Sequence, residues 1–148
     1  MERFLTRSAA QVYLVKNNQI LFGKRSGDKI DLANGLWDVA GGHCNENESF
    51  TAAAKRIAKK EFCITFDEKD IKFTTIIHVG KNNLVGLPYI CAHFFIDKWA
   101  GEPKIGEPSK MSCLKWININ DLPANLNFDR PQAIQNFKSK TSYSETMF

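Results

Sequence analysis

Residues 42–64 read GHCNENESFTAAAKRIAKKEFCI, and the fold turns on them. Phe50, Ala53, Ala54, Ile57, Ala58 and Phe62 recur at intervals of three and four. Lys55, Arg56, Lys59 and Lys60 fill the positions between them. That is the period of a helix with one buried stripe and one solvated face, and it predicts a helix over residues 49–62.

Upstream, residues 9–15 alternate, with Val12 and Leu14 set against Gln11 and Tyr13. A polar turn at 16–19 and the run Ile20-Leu21-Phe22 make a hairpin. A loop is expected at 26–35, then a short strand at 36–40 ending on Gly41-Gly42. Downstream of the helix, an acidic turn at 67–70 leads to two long strand-like segments, 71–79 and 89–99, joined by a turn containing Gly and Asn. A loop at 100–110 precedes a strand at 111–118. Asp129-Arg130-Pro131-Gln132 reads as an N-cap with proline in the first helical turn, opening a helix to about Phe137. Beyond Lys138 there is no pattern. The expectation is one mixed α and β domain over residues 1–138, with residues 139–148 frayed.

A chain of 148 residues suffices for one core without staples. Its net charge of +4 suits an anionic ligand but is ordinary for a soluble protein. The basic helix positions lack the interleaved aromatics of a nucleic-acid groove, so they read as a solvated face and nucleic acid is set aside as a partner. Cys44, Cys63, Cys91 and Cys113 lie far apart, with no CxxC pair and no secretory leader over residues 1–6. Reduced thiols and a cytoplasmic location are expected. Cys91-x-His93 and His43-Cys44 lack the paired spacing of a structural zinc site. No apolar run is long enough for a membrane helix.

Residues 42–64 resemble the Nudix box, G-x5-E-x7-R-E-U-x-E-E-x-G-U with U aliphatic. Gly42, Glu48, Arg56, Glu61 and Ile64 match it, and Ala58 is a small apolar residue at the first U. Ile57, Lys60 and Cys63 depart from it. Trp37-x-x-Ala40-Gly41-Gly42-His43, Lys24-Arg25, Gly106-Glu107-Pro108-x-Lys110, Leu114-x-Trp116 and Asp121-Leu122-Pro123 are similar to flanking segments of bacterial Nudix proteins, in the same order. The resemblance spans roughly residues 9–133 and implies an α/β/α sandwich around a mixed sheet.

It also implies a chemistry. Carboxylates at 57, 60 and 61 would share one helix face and hold Mg²⁺ or Mn²⁺ against the phosphate oxygens of a nucleotide or nucleoside diphosphate derivative. Glu48 and Arg56 would brace the loop before the helix, and Gly41 and Gly42 would let the backbone turn tightly. Cys63 would take a left-handed cap where glycine is usual, at a cost of about 1 kcal/mol. Glu61 is the candidate catalytic acid and metal ligand, with Glu107 as second ligand; Arg25, Gly41, Gly42, His43 and Lys60 are candidates for substrate contact.

Ile57 and Lys60 remove the site's excess negative charge. An ammonium about 4 Å from a bound cation repels it by roughly 4 kcal/mol per unit charge at an effective dielectric near 20. Metal binding is therefore expected to be weak and turnover reduced. The alternative is an inactive nucleotide-diphosphate binder or sensor in which Lys60 replaces the metal. On the bland readings, Ile57 extends the apolar stripe, Glu107 is a loop charge, and His78, His93, Trp37, Phe73 and Trp116 serve packing.

Overall fold

The alternation near the N-terminus becomes β1 (Arg7–Lys16), and it organises everything else. In the computed structural model, which describes residues 1–26, 34–81 and 86–148, both faces of β1 are covered. Ala10, Val12 and Leu14 point into one apolar cluster, Tyr13 and Val15 into a second. Successive residues of a strand face opposite sides, so one strand supplies two cores.

Asn17 and Asn18 both take positive φ, 52° and 60°. That geometry matches the twist of a two-residue hairpin and returns the chain as β2 (Gln19–Arg25). Two short strands follow, β3 (Trp37–Asp38) and β4 (Ala40–His43). Most of the loop predicted at 26–35, and residues 82–85 of the turn before residue 89, fall outside the described residues.

Next comes helix α1 (Phe50–Phe62), opened by Ser49, whose hydroxyl accepts from the Ala52 N–H at 3.1 Å. It ends at Cys63 in the left-handed region, φ 60°. Ala53, Ala54, Ile57, Ala58 and Phe62 are buried against the first cluster. The acidic turn holds one 3-10 turn, and then β5 (Ile71–Val79), β6 (Tyr89–Ile96) and β7 (Met111–Asn118) complete most of the sheet. Helix α2 (Arg130–Ser139) lays Ala133, Ile134 and Phe137 on the second cluster.

The described sheet runs β3-β2-β1-β6-β5, with β4 beside β1 and β7 beside β2. β1 and β6 are parallel, from Arg7↔Tyr89 to Leu14↔Ile96; their other partners are antiparallel. With α1 on one face and α2 on the other, the molecule is a single-domain α/β/α sandwich around a mixed sheet.

Two expectations fail. Residues 143–146 do not fray: β8 (Tyr143–Thr146) joins the sheet parallel to β5, in register Ile76↔Tyr143 to Val79↔Thr146. A polar clamp helps hold it, because buried Asn136 on α2 donates to Thr75 Oγ1 on β5 and to Ser144 Oγ on β8. Asp129 does not cap α2 with its side chain; it sits at φ 61° with its carboxylate engaged elsewhere.

Candidate active site

Two glycines shape the neighbourhood of Glu61. Gly41 is no turn residue but part of β4, and a Cβ there would collide with the end of the Gln11 side chain on β1, which any other residue would force to move. Its N–H points at Glu61 Oε1, 3.4 Å away. Gly42 has room for a side chain; a Cβ would touch Ile57 Cδ1 at an ordinary 3.5 Å. The tight turn expected of this pair is not what either residue makes.

Gly106 matters more than its place in the sequence suggests. Its N–H donates to the Glu61 carbonyl at 2.9 Å, and Lys104 N–H donates to the Phe62 carbonyl at 3.1 Å. The loop thus satisfies carbonyls that the end of α1 leaves open. A Cβ on Gly106 would strike the Lys60 carbonyl oxygen. This docking carries Glu107 to the end of the helix.

There Glu107 Oε2 meets two ammonium groups, Lys110 Nζ at 3.4 Å and Lys60 Nζ at 3.9 Å. Its other oxygen, Oε1, is buried with no hydrogen-bond partner among the described residues. Burial pushes the Glu61 carboxyl up to about 7, with Glu107 and Asp38 adding to the rise and the Gly41 N–H opposing it. Glu61, Glu107, Lys60 and Lys110 therefore form one group at the end of α1. Lys110 is its unforeseen member, spaced to pair with Glu107 at i+3.

The neighbouring loop is braced by Arg56. Its Nε and Nη2 donate to the two Glu48 oxygens, each at 2.9 Å, and Nη2 also reaches the His43 carbonyl. Glu48 further accepts from Asn45 N–H, and the Arg56 bond first, then that amide, draws its carboxyl down to about 2. His43 offers its backbone to this brace, and its side chain is exposed. Ile57 is 2% exposed and belongs to the core beneath α1, so the side chain at the first missing acid points into packing.

Arg25 turns to Asp38, with Nη1 3.7 Å from Oδ2. Asp38 also takes two bonds from Arg130 (2.7 and 3.2 Å), one from Asn127 Nδ2 (2.8 Å) and one from Val39 N–H. Arg130 Nη1 reaches Asp129 Oδ1 at 2.7 Å, and Tyr89 donates to Asp129 Oδ2 at 2.9 Å. This buried network was invisible in the sequence because its members come from four distant segments. His93 lies beside it, fully buried, its Nδ1 2.8 Å from the Tyr13 hydroxyl. His78 packs edge-on against Phe148, Trp116 lies against Trp99, and Phe73 meets Phe95 and Phe137.

Solved structures share this architecture. A MutT NUDIX hydrolase from Burkholderia pseudomallei is 22% identical, covering 88% of this chain and 97% of its own, at a TM-score of 0.74. A NUDIX hydrolase from Nitrosomonas europaea is 16% identical, covering 94% and 93%, at 0.73. A bifunctional NMN adenylyltransferase/ADP ribose pyrophosphatase from Francisella tularensis, complexed with AMP and a Mn ion, is 18% identical at 0.68; the match covers 95% of this chain and 43% of that one. At these identities the likeness speaks for the fold alone. No curated protein matches the chain. No helix among the described residues is long and apolar enough to cross a membrane. The model of the NUDIX domain matches residues 5–137, and the chain belongs to the Nudix family.

Proposed function

We propose that the protein hydrolyses a pyrophosphate bond in a nucleoside diphosphate-linked compound or nucleoside triphosphate, at a rate reduced by the loss of two acids from α1. The observation that carries this is the loop docked through Gly106, which brings Glu107 within electrostatic reach of Glu61 at the end of the helix, one Glu107 oxygen buried without a hydrogen-bond partner among the described residues. Two neighbouring carboxylates suit a divalent cation, and Mg²⁺ or Mn²⁺ needs only one or two protein carboxylates when water and substrate phosphates supply the remaining oxygens. Glu61 and Glu107 would hold the ion. When bound, it supplies Lewis acidity toward a phosphoryl oxygen and lowers the pKa of water.

The chain's own groups do the rest. Lys60 and Lys110, each more than half exposed, can swing from Glu107 to phosphate oxygens. With the ion bound, the Glu61 carboxylate would orient the attacking water, whose proton passes to solvent. Water oxygen bonds to phosphorus, the bridging P–O bond breaks, and the departing phosphate leaves with that electron pair. Arg56 and Glu48 keep the loop beside the site in place.

The test is release of nucleoside monophosphate or phosphate from a nucleotide panel, with and without Mg²⁺ or Mn²⁺. Glu61→Gln should slow turnover by about 10²-fold or more; an unchanged rate rejects this chemistry. A second reading is a binder without turnover, favoured by the two lysines already seated on Glu107 as tethered cations. It predicts nucleotide affinity that survives EDTA and falls on Lys60→Ala. The double change Ile57→Glu with Lys60→Glu separates the two readings. A large gain in turnover would mean that substrate still binds and only the ion site has weakened.

A further inference from the structure

On the face of the sheet that carries α2, away from the carboxylates of α1, one strand and one loop bring together a thiol, an imidazole and a carboxylate. Cys91 and His93 alternate on β6 and so face the same side. Asp129 reaches them from the residue before α2. All three are buried, and their ligand atoms lie within 4.8 Å of one another. His93 Nε2 stands 4.0 Å from Asp129 Oδ1, too far for a hydrogen bond. That nitrogen is buried with no partner among the described residues. A polar atom left so is costly and calls for an explanation.

We infer that Cys91, His93 and Asp129 form a binding site for a borderline-soft divalent cation of the Zn²⁺ or Co²⁺ class. Bond lengths of about 2.0–2.3 Å place tetrahedral ligand atoms about 3.3–3.7 Å apart, so the ligand atoms need to close by up to roughly 1.5 Å. Their outer partners are already set. Tyr13 bonds His93 Nδ1, and when the ring donates that proton to the hydroxyl, Nε2 presents a bare lone pair to the site. Arg130 and Tyr89 fix the two oxygens of Asp129.

Charge does not forbid the ion. Its two positive charges and the Arg130 guanidinium are cancelled by the Cys91 thiolate, Asp129 and Asp38. Arg25 approaches Asp38 only from a partly exposed side, at 3.7 Å. On binding, the thiol S–H bond breaks, sulfur keeps the electron pair for the metal and the proton passes to solvent. Asp129 also borders a cavity of about 430 Å³ that Pro131, Glu145 and Thr146 help to line, whereas Cys91 and His93 lie behind it. Three protein ligands leave a fourth position for water or another ligand. The thiolate sets the choice of metal, since Mg²⁺ prefers oxygen donors.

The experiment is a Co²⁺ titration of the full chain, stripped with EDTA and kept reduced and free of oxygen. One equivalent of Co²⁺ should bring up visible ligand-field bands and a near-ultraviolet thiolate-to-cobalt band, both erased by Zn²⁺ and unmoved by excess Mg²⁺. His93→Gln should weaken Co²⁺ binding by about tenfold or more. A variant with Cys44, Cys63 and Cys113 all changed to Ser keeps Cys91 as the sole thiol and should retain the charge-transfer band, whereas Cys91→Ser should lose it. Absence of the band from the wild type, its loss from the triple variant, or its persistence in Cys91→Ser would overturn the proposal. The triple variant keeps the test decisive even where Cys91→Ser fails to fold.

Discussion

Glu61 keeps its proton up to about pH 7, whereas the same carboxyl in an unfolded chain releases it near 4.5. Between those values the folded state holds a proton that the unfolded state has lost. Stability therefore falls as pH rises through that window, and the full penalty remains above it. Glu61→Gln removes the penalty, so without divalent metal the variant should melt above the wild type at about pH 8, by on the order of 1–2 kcal/mol, and level with it at about pH 4. Equal melting at both would show that burial is not what holds the proton. Glu48 has the opposite sign. Its carboxyl is drawn down to about 2, so the stability its pair with Arg56 supplies is complete above the ordinary value of 4.5 and fades as pH drops toward 2. Arg56→Lys, which cannot reproduce the two-pronged bond, should shift the onset of acid unfolding to higher pH in a titration followed by circular dichroism.

The end of α1 is where element and site depend on one another. Cys63 holds φ 60° without being glycine. Cys63→Gly should raise stability by up to about 1 kcal/mol in chemical denaturation, less whatever the thiol contributes by packing near Gly106. Gly106→Ala should act the other way. Its Cβ drives the loop off the Lys60 carbonyl, costing roughly 1–3 kcal/mol and carrying Glu107 away from Glu61, so hydrolysis and stability should fall together. Local periodicity made this helix legible, since its apolar stripe and the spacing of Glu48 from Arg56 lie within one short segment; that Ser49 caps it rather than belonging to it came from the structure. The same kind of reading failed at Asp129. A cap is judged from neighbours, but this carboxylate answers to Tyr89, forty residues earlier, as well as to adjacent Arg130.

For the whole molecule, the three-layer order came from the Nudix resemblance, because alternation in β1 and the helical period of α1 predict only a mixed α and β domain; that both faces of β1 are covered is seen in the structure. β8 was illegible. Tyr143-Ser144-Glu145-Thr146 has no apolar stripe, and what seats it is backbone pairing with β5 and the Asn136 clamp. Ending the chain at residue 140 should therefore destabilise the fold and speed amide exchange along β5, measured by hydrogen–deuterium exchange; a loose tail would leave both unchanged. The pairing of Arg7 with Tyr89 and of Leu14 with Ile96 carries a kinetic consequence. During synthesis β1 leaves the ribosome long before its parallel neighbour exists, so one flank of the apolar centre stays open until β6 has emerged. Over that interval the uncovered apolar edge is open to wrong pairings, and translational pausing before residue 96 would lengthen the exposure.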